Sequence, residues 1–320
     1  MKPALIAGAF LASLFALSLL VGVSPLSAVD VLTFRADSNA VLVLVESRLP
    51  RTLALILAGV GLAVAGLIMQ ILVRNRFVEP STAGTVESAS LGMLVMALFA
   101  PAAPVFAKTA ASTLFALAGT ALFLRLLSMA PLRSPLTPPL IGLTLGGVIG
   151  SATTFLAYRF DLLQSLSAWT TGDFSVVLRG RYELLWLALA LAVAGYAIAD
   201  RLTVAGLGDD VATSLGLKHA HVMAGGLAIV AMITAATVST IGSIPFLGLI
   251  VPNVVSLAMG DNLRRTLPFV AAFGAVFTLA CDVAGRLANF PFEIPIGVVA
   301  GALGSGLFLV LLLRRRARNA

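Results

Sequence analysis

Between Arg48 and Gln70 the chain reads Arg-Leu-Pro-Arg-Thr-Leu-Ala-Leu-Ile-Leu-Ala-Gly-Val-Gly-Leu-Ala-Val-Ala-Gly-Leu-Ile-Met-Gln, an apolar run with two cations at one mouth and an amide at the other. A helix needs about 20 apolar residues to cross a bilayer, and in hydrocarbon a helix satisfies its own backbone within a single segment. The rest of the chain repeats the theme. Charged residues make up 11% of the 320 residues, and the mean hydropathy is +1.05; a soluble domain carries roughly 25% charged residues. The sequence is therefore that of an all-α, multi-pass membrane protein, a single unit over residues 1–320 with no sizeable soluble domain.

Apolar runs separated by charges, Pro and Gly place ten spans at 4–23, 51–73, 86–100, 108–129, 138–158, 182–200, 221–241, 244–259, 267–286 and 294–313. Two of them, 86–100 and 244–259, are short for a full crossing. Such segments are tolerated where neighbouring helices or a wet cavity satisfy the backbone. Residues 162–169 read as a short interfacial or re-entrant helix, with Trp169 suited to the boundary. The segment 4–28 fits either a cleaved signal peptide or a retained first helix, and its span-length apolar run favours the helix. With ten spans both termini share a side. Threading puts 13 Lys and Arg on that side and 8 on the other, so the termini are expected in the cytoplasm. The basic cluster at 314–318, abutting the last span, is the strongest element of that bias.

Several function classes are excluded. The net charge of +7 is what loop arginines produce in a membrane chain, and no nucleic-acid partner is expected. Cys281 is the only cysteine, so no internal disulfide forms, and it reads as a small buried hydrophobe. His219 and His221 lack further ligands nearby and read as polar interface residues. No hydrolytic constellation and no G-x-x-x-x-G-K-[ST] loop is present; none of Lys2, Lys108 and Lys218 follows a Gly-rich turn. The chain is expected to be no enzyme and to bind no cofactor. Any ATP driving transport acts on a separate polypeptide.

Smaller signals point to packing and to contact surfaces. Gly142, Gly146 and Gly150 stand four apart, as do Gly297, Gly301 and Ser305. Such stripes share a helix face and let backbones approach; both read as tight packing, and the first could also border a pathway. Gln70 reads as an interhelical hydrogen bonder. Glu87 reads as a cap on its short span, where the helix N-terminus favours negative charge, with a pathway-facing position as the alternative. Arg48, Arg51 and Arg286 gather at the same outer face, either to dock carboxylates or to anchor helix ends by snorkelling; Asp282, four residues before Arg286, can pair with it. In 207–217, Asp209 is placed as N-cap, Asp210 in the first turn and Gly216 as the stop of a short helix, with Val211, Ala212 and Leu215 on one apolar face. Pro245 and Pro252 predict a helical hairpin with irregular backbone at 240–259.

Three blocks occur in order: residues 48–85; a G-x-x-x-A-x-x-L-G pattern at Gly208, Ala212, Leu215 and Gly216; and Gly242, Ile244, Phe246, Gly248, Leu249, Ile250, Pro252 and Asn253. Together they resemble the FecCD-type permease subunits of bacterial ABC importers, with Ser243 and Pro245 standing where Pro and Gly are frequent. These departures look like the iron-chelate branch. The resemblance implies a BtuC-like (type II) transmembrane domain in the bacterial inner membrane that moves a ferric siderophore by alternating access, with haem or cobalamin as other cargoes. It implies a second permease subunit, a paralogue or a second copy, two ABC ATPases carrying ATP-Mg, and a periplasmic or lipoprotein binding protein. By the same resemblance, Arg48, Arg51 and Arg286 receive carboxylates of the binding protein. The loop at about 201–218, through Gly208, Asp209, Asp210, Val211, Ala212, Leu215 and Gly216, docks in the ATPase. The rival class is an ion-driven secondary transporter. It would want paired acidic or His residues at mid-membrane depth, whereas Glu87 and Asp282 are expected near span ends.

Overall fold

The computed structural model describes residues 2–22, 38–130, 136–260 and 262–318. Residues 24–28 and Asp261 lie outside them, as do the side chains at 314–318. Helices α1 (Lys2–Leu20) and α2 (Ser38–Val43) come first. A single π turn, Leu44–Arg48, joins α2 to α3 (Leu49–Leu72). A 3-10 turn, Pro80–Thr82, leads into α4 (Thr85–Phe99), followed by α5 (Val105–Met129), α6 (Thr137–Arg159) and α7 (Leu163–Thr170). Then come α8 (Leu185–Ala197), α9 (Ala199–Ala205), α10 (Asp209–Ser214), α11 (His219–Ile241), α12 (Leu247–Met259), α13 (Leu263–Ala288) and α14 (Ile296–Arg318).

The ten expected segments are all present as helices. Chain from Val41 through α3, with α5, α6, α11 and α13, is long and apolar enough to cross a bilayer, and α1, α4, α12 and α14 contribute shorter apolar stretches. The span expected over 182–200 is broken. Ile198, at φ −102° and ψ 12°, leaves the helical region, and α9 turns by 66° from α8 to pack on α11 and α13.

Helix α3 is the axis of the fold, because its small residues admit neighbours on every side. It packs against α8, α11, α12 and α13. A Cβ on Gly59 would lie 2.5 Å from the Gly274 carbonyl oxygen, and one on Gly66 would lie 2.0 Å from that of Gly248. Both contacts are backbone against backbone, which only a residue without a side chain permits. Thr278 adds a hydrogen bond from Oγ1 to the Leu55 carbonyl at 2.8 Å. Ala54, Ala58, Ala63, Val64, Ile68 and Met69 are fully buried around this seam.

Candidate functional site

At the N-terminal end of α3 the three sequence-predicted arginines do converge, but around the end of α1. A helix leaves its last four carbonyls without intrahelical donors. Here Val21 N–H takes Leu17 O at 2.9 Å, Arg286 Nη1 takes Ser18 O at 2.9 Å, and Arg48 Nη1 takes Leu19 O at 2.7 Å and Leu20 O at 3.0 Å. Arg286 also donates to Val21 O and to Ser18 Oγ. Every terminal carbonyl of α1 is thus satisfied, with cations at the end where the helix dipole favours them. Asp282 sits between Arg51 (2.7 Å) and Arg286, whose 2.5 Å approach is a charge contact rather than an aligned hydrogen bond. Arg51 also reaches Glu293 at 2.7 Å. The expected Asp282–Arg286 pair is present. Arg48 and Arg286 are buried, however, and only Arg51, with 14% of its side chain exposed, borders solvent. They are not presented as free docking cations: isolated spans on paper hid the carbonyls that recruit them.

On the other side of α3, the chain at 242–246 is irregular and α12 starts only at Leu247. Thr170 O and Gly172 O receive Ser243 N–H and Gly297 N–H, tying the loop after α7 to this break and to the start of α14. The hairpin expectation holds for 242–246, but Pro252 does not interrupt α12. Its missing N–H deprives the Gly248 carbonyl, four residues back, of a donor. Gln70 Nε2 supplies one from α3 at 3.1 Å. Asn253 Nδ2 donates to Leu249 O at 2.7 Å and to Arg76 O at 2.8 Å, fastening α12 to the connector after α3.

The N-terminus of α12 is held by Glu79, which the sequence reading left without a role. Glu79 is 2% exposed. Its Oε1 accepts the Phe246 N–H at 2.9 Å and the Ser81 hydroxyl at 2.5 Å, and its own N–H goes to Thr82 Oγ1 at 3.0 Å. One carboxylate therefore closes a capping box on the Pro80–Thr82 turn and meets the positive end of a second helix. The Glu-Pro-Ser-Thr run, a capping-box pattern, was the available signal.

The loop 201–218 forms α9 and α10. The N-cap of α10 is Gly208, at φ +120°, and Asp209 is the first helical residue, so the helix begins one position earlier than expected. Arg74 fills the space a side chain at 208 would need. At the far end, Leu217 N–H bonds Ala212 O and Gly216 N–H bonds Thr213 O, each at 2.9 Å. With Gly216 at φ +79°, this is a complete Schellman stop. The expected single apolar face divides: Ala212 is buried, while Val211 is 41% and Leu215 63% exposed, as is Leu207. Ala212 anchors the short helix, and the pair at i, i+4 is left facing outward.

The glycine stripe of α6 packs on the connector between α3 and α4. A Cβ on Gly142 would meet Thr82 O at 1.9 Å, and Gly146 and Gly150 lie against Glu87. Glu87 lies in the first turn of α4, where the helix dipole favours its charge as expected, but it is not the N-cap. The N-cap of α4 is Gly84, at φ +76°, with no side-chain hydrogen bond, and among the described residues Glu87 Oε2 has no partner. The Gly146–Gly150 stretch it touches is the middle of α6, because α4 starts deep inside the protein.

These elements match known proteins over nearly the whole chain. The model of the FecCD transport family matches residues 9–314. The petrobactin import system permease protein YclN of Bacillus subtilis is 46% identical over 301 residues, 94% of each chain. The ferric-anguibactin transport system permease protein FatD of Vibrio anguillarum is 42% identical, over 87% of this chain and 88% of its own. A metal-chelate type ABC transporter solved in an inward-facing conformation superposes with a TM-score of 0.83 at 26% identity, covering 98% of this chain and 99% of that one.

Proposed function

This chain belongs to the FecCD transport family, and from that membership we infer that it is the membrane-spanning permease subunit of an ATP-driven importer whose cargo is a ferric siderophore. The observation that carries the reading is the full-length similarity to siderophore permeases, supported by the outward-facing pair Val211 and Leu215 on α10. An importer of this kind needs an ATPase, a substrate-binding protein and a second permease subunit. We assign the second subunit to a paralogue, with self-association as the other arrangement, and ATP-Mg to two separate ABC ATPases. Insertion is in the bacterial inner membrane with both termini cytoplasmic, on the strength of the basic bias.

In this reading α10 seats its apolar pair in a cleft of the ATPase. Its rigid stop at Gly216 and its anchor at Ala212 make it a lever rather than a loose loop. Motion passes along the connector to α12, which Glu79, Gln70 and Asn253 tie to α3 and its neighbouring turns. The binding protein docks on the outer rim at Arg51, with Arg48 and Arg286 behind it; incoming carboxylates join or replace Glu293 and Asp282. An ion-gradient carrier is not favoured: Asp282 is neutralised by Arg51 and Arg286, and Glu79 is committed to the Phe246 N–H and the Ser81 hydroxyl.

The test is reconstitution of the chain with its partner permease, ATPase and binding protein in proteoliposomes. Uptake of radiolabelled ferric petrobactin or ferric anguibactin should need ATP, stop with vanadate and survive a protonophore. Concentrative uptake by this chain alone, driven by an ion gradient, would overturn the reading.

A further inference from the structure

We propose that Glu87 is a cargo-contacting residue of the permeation path, an acidic contact for ammonium or amine groups carried by the iron chelate. The proposal rests on the permease reading above. Glu87 opens onto a groove of about 760 Å³ whose wall includes Gly147, Ser151, Thr154, Phe155 and Tyr158 of α6. That volume lies within the usual range for small-ligand sites, roughly 300–1,000 Å³. The open face of α6 continues around it: Leu143, Val148, Phe155 and Tyr158 are each more than half exposed. Nothing in the described chain covers this face, and beside Gly147 there is open space.

The chemistry of the wall selects the ligand. Among the described residues the groove is lined by one carboxylate, three hydroxyls and two aromatic rings, and by no Lys, Arg or His. Glu87 Oε2 is inaccessible to solvent in this arrangement yet has no donor among the described residues. A carboxylate oxygen left in that condition is costly, and an ionisable group at membrane depth ordinarily faces a partner or a passage. A cation or N–H donor entering the groove meets the Glu87 side chain, and a turn of its carboxylate brings Oε2 to that donor, while the Phe155 and Tyr158 rings offer faces to a flat chelate or a cation. The acceptor thus favours amine-bearing cargo over cargo that presents only anionic groups.

The test uses the complete importer in proteoliposomes and two ferric catecholate chelates of matched size, one with free secondary amines and one with those amines acetylated. With Glu87 intact the amine chelate should enter faster. Glu87→Gln should slow it by about tenfold, the loss of one charge-assisted contact, and leave the acetylated chelate unchanged; Glu87→Asp should keep the preference. Equal slowing of both chelates, or of neither, would overturn the proposal. Uptake of neither chelate by the unmodified importer would instead count against the permease reading. A second measurement needs no Glu87 variant. Ser151→Cys, in a Cys281→Ser background, should react faster with a cationic than with an anionic methanethiosulfonate, and the amine chelate should protect it. Equal rates would overturn the proposal. So would a thiol that reacts only when the partner permease is removed, because Glu87 would then face a cation of that subunit.

Discussion

Gln70 donates its side-chain amide to the Gly248 carbonyl at 3.1 Å, and that carbonyl is the one Pro252 leaves without a donor. The proline in α12 and the glutamine in α3 are two halves of one solution, 182 positions apart in the chain. Replacing Gln70 by Leu should cost about 1–3 kcal/mol, the penalty of an orphaned buried carbonyl. Pro252→Ala should rescue most of that loss by restoring the intrahelical N–H. Thermal unfolding of the single and double variants in nanodiscs measures the coupling, and strictly additive effects would rule this relationship out.

Glu79 joins the Pro80–Thr82 turn to the start of α12. Glu79→Ala should cost about 1–3 kcal/mol by freeing the Phe246 N–H and the Ser81 hydroxyl. Glu79→Gln should recover part of it, because the amide oxygen still accepts. Hydrogen exchange at 246–250 is the local readout; exchange rates unchanged in the Ala variant would assign the anchoring elsewhere.

Arg286 carries both a buried charge and two carbonyls at the end of α1. Arg286→Ala should destabilise the protein by about 3–5 kcal/mol, mostly because Asp282 loses one of its two cations in a buried site. Lys at this position keeps the charge but lacks the second nitrogen, which here reaches Ser18 Oγ and Asp282 while Nη1 serves both carbonyls. Amide exchange in 15–21 should rise well before that in α11. Equal protection in the variant and the parent would show that α1 is held by apolar packing alone.

Val211 and Leu215 face outward from α10. Asp at both positions should change the stability of the isolated chain by no more than about 0.5 kcal/mol, as surface substitutions do. Transport per ATP hydrolysed should fall sharply. Normal co-purification with the ATPase together with normal coupled turnover would reduce α10 to an ordinary loop.

How much could be read in advance differs from one residue to the next. Hydropathy located all ten helical segments, because a bilayer demands long apolar runs whatever their neighbours are. The Schellman stop at Gly216 was legible because a left-handed glycine after a short helix is a local requirement. The break at Ile198 carries no Pro, and its neighbours α11 and α13 are distant in sequence, so nothing local announced it. Arg48, Arg51 and Arg286 were gathered on one face and Asp282 was paired with Arg286, but the carbonyls that hold Arg48 and Arg286 belong to α1, distant in sequence. Glu87 was read as a cap from its position in the first turn of a helix. The outcome turned on where α4 begins in depth, which only α6 reveals.

Local chemistry and the demands of the bilayer set the number of helices, their order, the short helix at 209–214 and the kinship with permeases. Those demands act on a few residues at a time, and each segment states them for itself. Which buried polar group meets which was settled by how the helices pack on one another: Gln70 of α3 with Gly248 of α12, Glu79 with Phe246, Arg286 of α13 with Ser18 of α1, and Glu87 of α4 with a groove along α6. In a low-dielectric interior an unmet donor or acceptor costs several times what an exposed one does. Such groups therefore find partners across the fold, and those pairings exist only once the helices are assembled.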